Sequence, residues 1–131
     1  MRKELEDTLA QNYSFFTPLD RGFGRCEHSD GWYTILERLL YQLTHLDLPP
    51  EFRIVQVKEK FGGLCVHVGG TDGMSHELFY QVYRLLGAAE DESYRTCERC
   101  GKPATLNSLN NGGRVRTLCA PCYNGPDAES P

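Results

Sequence analysis

The sequence predicts an α+β fold, and three patterns carry that prediction. Apolar residues recur at helical spacing from Trp32 to Leu43 and again from Met74 to Ala89. Between them, RIVQVKEKFGGLCVHVGG alternates apolar and polar residues around a glycine pair, as a β-hairpin does. After them come two Cys-x-x-Cys pairs, Cys97/Cys100 and Cys119/Cys122, with eighteen residues between. A lone hairpin is not stable in water, so the flanking helices must cover its apolar face. The expected architecture is a helix-hairpin-helix body over residues 1–94, a zinc-ribbon-like subdomain over 95–125 and a flexible tail over 126–131.

Each element has its own local cause. Residues 1–12 can form a short helix with Leu5 and Leu9 on one side, but so thin a stripe leaves it marginal unless it docks. From Tyr13 to Asp30, Pro18, Gly22 and Gly24 alternate with Phe15, Phe16 and Phe23, which predicts an irregular segment folded over the core as a lid. Long loops of this kind also carry binding functions. Trp32, Ile35, Leu36, Leu39, Leu40 and Leu43 then form one helical face, with Ser29 or Asp30 placed to cap its first amides. Pro49 and Pro50 close the next turn. In the hairpin, Val55 and Val57 define the apolar face of the first strand, and Leu64, Val66 and Val68 that of the second. Gly62-Gly63 is the expected turn, and Met74, Leu78, Val82, Leu85, Leu86 and Ala89 give the last helical stripe.

The four carboxyl-terminal cysteines fit structural zinc. Two residues between cysteines bend the chain so that both sulfurs face one point, and four thiolates satisfy a tetrahedral ion. Redox CxxC motifs occur singly beside a βαβ unit, and disulfide frameworks accompany export, so neither alternative suits this chain. TLNSL and RVRTL are short strand-like runs joined by Asn110-Asn111-Gly112-Gly113, giving knuckle, hairpin, knuckle. Gly125-Pro126 oppose a helix after Cys122.

Apolar content of 40% and charged content of 24% are those of a folded, water-soluble protein of 131 residues, too short for a multi-domain enzyme. MRKELEDTLAQN contains no apolar run of secretory or membrane-spanning length, which places the expected location in the cytoplasm. The net charge of −4 gives no general attraction to nucleic acid or membrane. Residues 95–125 are nevertheless basic: Arg95, Arg99, Lys102, Arg114 and Arg116 stand against Glu98 alone. These cations either compensate the thiolates or, through Arg99, Lys102, Arg114 and Arg116, form a nucleic-acid strip.

Other candidates are weaker. Cys26 and His28 form a Cys-x-His pair, and Cys65 and His67 share one hairpin face by the period-two rule. A joint Cys2His2 cluster is conceivable, though a loop cysteine serves more simply as a small core residue. His45 and His76 read as capping or surface residues near helix ends. No P-loop, dinucleotide fingerprint, HExxH or nucleophile elbow is present, so no enzyme is expected. Lys58, Lys60 and Phe61 at the hairpin tip offer an aromatic contact flanked by cations, unless Phe61 folds back onto the core.

Asp30-Gly31-Trp32, QVKEKFGGL from Gln56 to Leu64, TCERCG from Thr96 to Gly101 and TLCAPC from Thr117 to Cys122 together resemble a family of small uncharacterised bacterial and bacteriophage proteins. The resemblance spans roughly residues 22–122. Family members usually carry a basic residue after the GGL, where this chain has Cys65. The resemblance brings no catalytic residues and implies a bacterial or phage setting, in which small acidic proteins commonly bind and block a partner. The expected function is therefore a zinc-binding protein-interaction module, such as an inhibitor or immunity factor, with Trp32, Lys58, Lys60 and Phe61 facing a protein partner. The alternative is a nucleic-acid-binding regulator using the basic ribbon.

Overall fold

A computed structural model describes residues 1–17, 26–109 and 114–125. In chain order the elements are α1 (Lys3–Asn12), a 3-10 turn (Asp30–Trp32), α2 (Tyr33–Leu43), β1 (Arg53–Lys60), β2 (Gly63–Gly69), α3 (His76–Ser93), β3 (Thr105–Leu109), β4 (Arg114–Leu118) and α4 (Ala120–Tyr123). The expected turn at Asn110–Gly113, the Pro18/Gly22/Phe23/Gly24 part of the lid and the tail lie outside the described residues.

The helix-hairpin-helix body with a zinc-ribbon-like subdomain is corrected. The described fold mixes four helices with two separate two-stranded antiparallel sheets, β1-β2 and β3-β4. Its main core is not a hairpin enclosed by two helices. Leu9 of α1, Tyr13, Phe16 and Phe52 join the apolar face of α2, together with Ile54, Val57 and Leu64 from the sheet. The segments after α1 lie along β1 as parallel bridges, Phe16 to Ile54 and Glu27 to Lys58. Ile54 N–H donates to Phe15 O at 2.7 Å and Glu59 N–H to Glu27 O at 2.9 Å, so these segments occupy the edge of β1 that faces away from β2. The helix α3 packs on α2 and β2 but buries only Val82, Ala89 and Ser93, much less than its apolar stripe suggests. At the carboxyl end, α4 runs through the second CxxC, where the ribbon pattern had no helix.

Three local expectations also shift. A register irregularity between Ile54 and Gln56 leaves Val55 as an extra residue, so Ile54 and Val57 take the buried positions in place of Val55 and Val57. Neither Ser29 nor Asp30 caps α2 through its side chain. The Asp30 carboxylate instead accepts from Arg2 N–H at 2.7 Å and pairs with Arg2 Nε at 2.6 Å. At α3, Ser75 does act as a cap, its Oγ accepting from Leu78 N–H at 3.1 Å.

The β1-β2 turn is the third. Lys60 pairs with Gly63, which places the two-residue turn at Phe61-Gly62 and makes Gly63 the first residue of β2. Phe61 has φ of 53° and Gly62 of 85°, the left-handed pair that matches hairpin twist. Glycine adopts that conformation without penalty, whereas a β-carbon costs about 1–2 kcal/mol. Phe61 is 73% exposed and repays none of this by burial. The substitution Phe61→Gly is therefore expected to raise unfolding stability by about 1 kcal/mol, read as a higher urea midpoint with unchanged slope.

Candidate metal centre

The two CxxC knuckles are closed by backbone hydrogen bonds. In the first, Cys97 N–H donates to Lys102 O at 2.7 Å and Gly101 N–H donates to Cys97 O at 2.9 Å. In the second, Tyr123 N–H donates to Cys119 O at 2.8 Å, and Pro121 sits in the first turn of α4, where a missing amide costs nothing. The pair β3-β4 joins the knuckles, and Tyr123 Oη donates to Ser108 O at 2.9 Å, tying α4 to β3.

The sulfurs of Cys97, Cys100, Cys119 and Cys122 all lie within 4.8 Å of one another, and Cys100 Sγ is 3.5 Å from Cys119 Sγ. Tetrahedral thiolate coordination at a metal–sulfur distance of about 2.3 Å needs sulfurs about 3.8 Å apart. The set fits, and these four thiols could hold one metal ion. Their electrostatics are unequal. Burial raises the Cys97 thiol, but N–H donors from Cys119, Cys100 and Arg99 outweigh it and bring the group down to about 7. Cys122 is pushed up to about 12 by burial and by the neighbouring sulfurs. Backbone donors thus favour the thiolate at Cys97, whereas burial and the neighbouring sulfurs disfavour it at Cys122.

The centre is built against the body through a buried charge. Glu98, inside the first knuckle, accepts on Oε1 from Arg116 Nε at 3.1 Å, with Nη2 at 3.0 Å. Its Oε2 accepts from Ser29 N–H at 3.0 Å, and Arg116 Nη2 also donates to Ser29 Oγ at 3.3 Å. Glu98 and Arg116 are both fully buried. Gly31 N–H donates to Glu98 O at 2.7 Å, and a β-carbon on Gly31 would stand 2.1 Å from Cys97 O. The Trp32 indole donates to Thr96 O at 2.9 Å. On the other side, Thr117 Oγ donates to Gly62 O at 2.7 Å. The Asp30–Trp32 turn, the hairpin tip and the knuckles thereby meet at one seam.

Seen from this seam, the sequence candidates separate. Trp32 is fully buried and braces Thr96; it presents no surface to a partner. Lys58 is half-buried, Lys60 exposed, and Phe61 stands out beside Lys60, whose ammonium lies 5.9 Å from its ring centre. Arg116 is enclosed on Glu98, Arg114 reaches Glu59 at 3.5 Å, Lys102 is exposed and Arg99 lines a cleft of about 550 Å³ with Cys26, His28 and Asp30. Among the described residues, the four cysteines are the only group of three or more potential ligands, so Cys26, His28, Cys65 and His67 do not assemble. Sequence reasoning gave no role at this seam to Glu98, Gly31 and Thr117 and read Ser29 only as a candidate helix cap, although a single acid in a basic stretch was a usable signal for Glu98. It also missed the exposed aromatics Phe79, Tyr80 and Tyr83 on α3.

His28 is buried beside Trp32, with 5.9 Å between ring centres. Its Nδ1–H donates to Ser29 O at 2.8 Å, and Nε2 is buried with no hydrogen-bond partner among the described residues. Burial is the main cause that lowers the imidazole to about 4, with the Ser29 carbonyl opposing. No family model, no curated protein and no solved structure matches this chain. Among the described residues, no helix is long and apolar enough to cross a membrane.

Two outcomes follow from these contacts. Glu98→Gln leaves the Arg116 charge buried without its counter-charge and should cost about 3–5 kcal/mol in denaturant titration at neutral pH. His28 binds its proton more weakly folded than unfolded, so its contribution is complete above its unfolded value of 6.5 and is lost as pH falls toward about 4. Over that interval the parent protein should lose about 3 kcal/mol more than His28→Gln, compared by urea unfolding with excess zinc in both.

Proposed function

We propose that this chain is a small zinc-binding protein that works as a protein-interaction module without catalytic activity, in a bacterial or phage setting where it acts as an inhibitor or immunity factor. Zinc is the ion favoured by four soft thiolates in a compact set. A four-sulfur shell leaves no coordination position for water or substrate, so the ion stabilises and does not catalyse. The family resemblance supports the setting.

One observation carries the interaction reading: Phe61, 73% exposed at φ of 53°, is a large aromatic side chain kept outside the core in a conformation that costs energy. Its turn is fixed on both sides. Gly62 N–H donates to Glu59 Oε2 at 2.7 Å and Gly62 O accepts from Thr117. A rigid aromatic with little entropy to lose is what an interface anchor requires, and Lys60 beside it suits an acidic rim on the partner. The nucleic-acid reading has less support, because Arg116 is enclosed on Glu98 and Arg114 faces Glu59.

Two measurements test the proposal. Elemental analysis of freshly reduced protein should give about one zinc per chain, lost on Cys97→Ser. Affinity capture from the bacterial host should retain a protein that Phe61→Gly no longer retains, although this variant is the more stable one. Equal retention by parent and variant overturns the role of the tip, and a salt-dependent shift of DNA or RNA by the parent protein favours the nucleic-acid reading instead.

A further inference from the structure

The outer face of the β1-β2 hairpin carries a thiol–imidazole pair that the metal centre does not use. Cys65 and His67 lie two residues apart on β2 and therefore project from one face. Cys65 Sγ is 3.4 Å from His67 Nε2, within hydrogen-bond reach for sulfur. Cys65 is half-buried and His67 is exposed, so a small molecule can approach the sulfur while the imidazole stays wet. Across the sheet, Lys58 is the register partner of Cys65 and Gln56 that of His67. From the end of α3, the Tyr94 phenol packs against Gly63, two residues before Cys65 on the same face of β2, and Glu90 is 3.4 Å from Tyr94 Oη. The groups around the sulfur are thus a base, an ammonium and a phenol, with the Glu90 and Asp91 carboxylates set back behind the phenol. The remaining cysteines differ: four form the metal cluster and Cys26 is 4% exposed.

A nucleophile beside a base, in partly exposed and cationic surroundings, is the arrangement of a reactive thiol. We propose that Cys65 is a thiolation site that exchanges with an anionic low-molecular-weight disulfide of the glutathione type. His67 Nε2 takes the Cys65 proton as the sulfur attacks one sulfur of the disulfide. A bond forms between Cys65 and that half while the original sulfur–sulfur bond breaks. The other half leaves with the electron pair as a thiolate and recovers the proton from His67. The disulfide is the oxidant, and Cys65 ends as a mixed disulfide. Lys58 supplies the attraction for the carboxylates of such a molecule. The site stands independently of the partner-binding reading.

Zinc-loaded, reduced full-length chain is mixed with excess glutathione disulfide at neutral pH and followed by intact mass and peptide mapping. One adduct should appear first on Cys65, with zinc content unchanged. The rate should fall roughly tenfold in His67→Gln, and Cys65→Ser should block that adduct. Lys58→Gln should slow reaction with glutathione disulfide but not with uncharged hydroxyethyl disulfide. Each of these substitutions lies on the outer face of the sheet, and circular dichroism verifies the fold. First modification at Cys26 or at a metal cysteine, no adduct at all, or equal rates in parent and His67→Gln would each overturn the assignment.

Discussion

The buried ion pair between Glu98 and Arg116 is the constraint around which the molecule is arranged. Removing two charges from water costs several kcal/mol per ion, and only a complete set of partners offsets it. Here the set comes from three places: the first knuckle supplies Glu98, β4 supplies Arg116, and the loop before α2 supplies the amide and hydroxyl of Ser29. None of the three is satisfied alone. The cysteine-bearing segment and the Asp30–Trp32 turn must therefore form together, and the absence of a side chain on Gly31 lets the two backbones touch. An ion held by the four sulfurs would also position Glu98, because Glu98 follows Cys97 directly in the chain.

This arrangement changes the meaning of the basic residues near the cysteines. Four thiolates around a divalent cation carry a net charge of −2, and nearby cations would be expected to offset it. Arg116 is not used in that way; it neutralises Glu98 inside the seam. Backbone amides, which carry no formal charge, do part of the work at Cys97. The basic character of residues 95–125 is thus partly internal, and a count of charges along the chain overstates what a phosphate backbone would meet.

The legible parts of the sequence were those with a strong period or a fixed spacing. The stripe from Ile35 to Leu43 became the buried face of α2, and the CxxC pairs became a compact sulfur cluster. Cys65 and His67 met on one face, as alternation requires. Other features failed for physical reasons. An extra residue at Val55 inverts the alternation upstream of it, and a bulge has no signature in apolar pattern alone. Glycine preference pointed to Gly62-Gly63, yet hairpin twist was satisfied at Phe61-Gly62, with Gly63 pressed against the Tyr94 ring. Ser29 and Asp30 look like helix caps locally, but tertiary partners Arg116 and Arg2 claimed their side chains. The body was misjudged because the segments after α1 form bridges with β1 at Phe16 and Glu27, a pairing between segments too far apart in sequence for any local pattern to disclose.

The hairpin tip shows how the seam reaches the surface. A phenylalanine at a left-handed position would ordinarily relax, either by shifting the turn by one residue toward the glycines or by folding its ring inward. The first route is blocked because Gly62 is held through both its amide and its carbonyl, and because a side chain brought to Gly63 would strike the Tyr94 ring 2.6 Å away. The second is blocked because the turn's own dihedrals aim Phe61 outward while Leu106 of β3 packs under Gly62. The exposed aromatic is therefore imposed by contacts from β3 and β4, whose chain ends are the two cysteine knuckles. Order at the four sulfurs and the shape of the tip are consequences of the same packing, and a change that loosens one loosens the other.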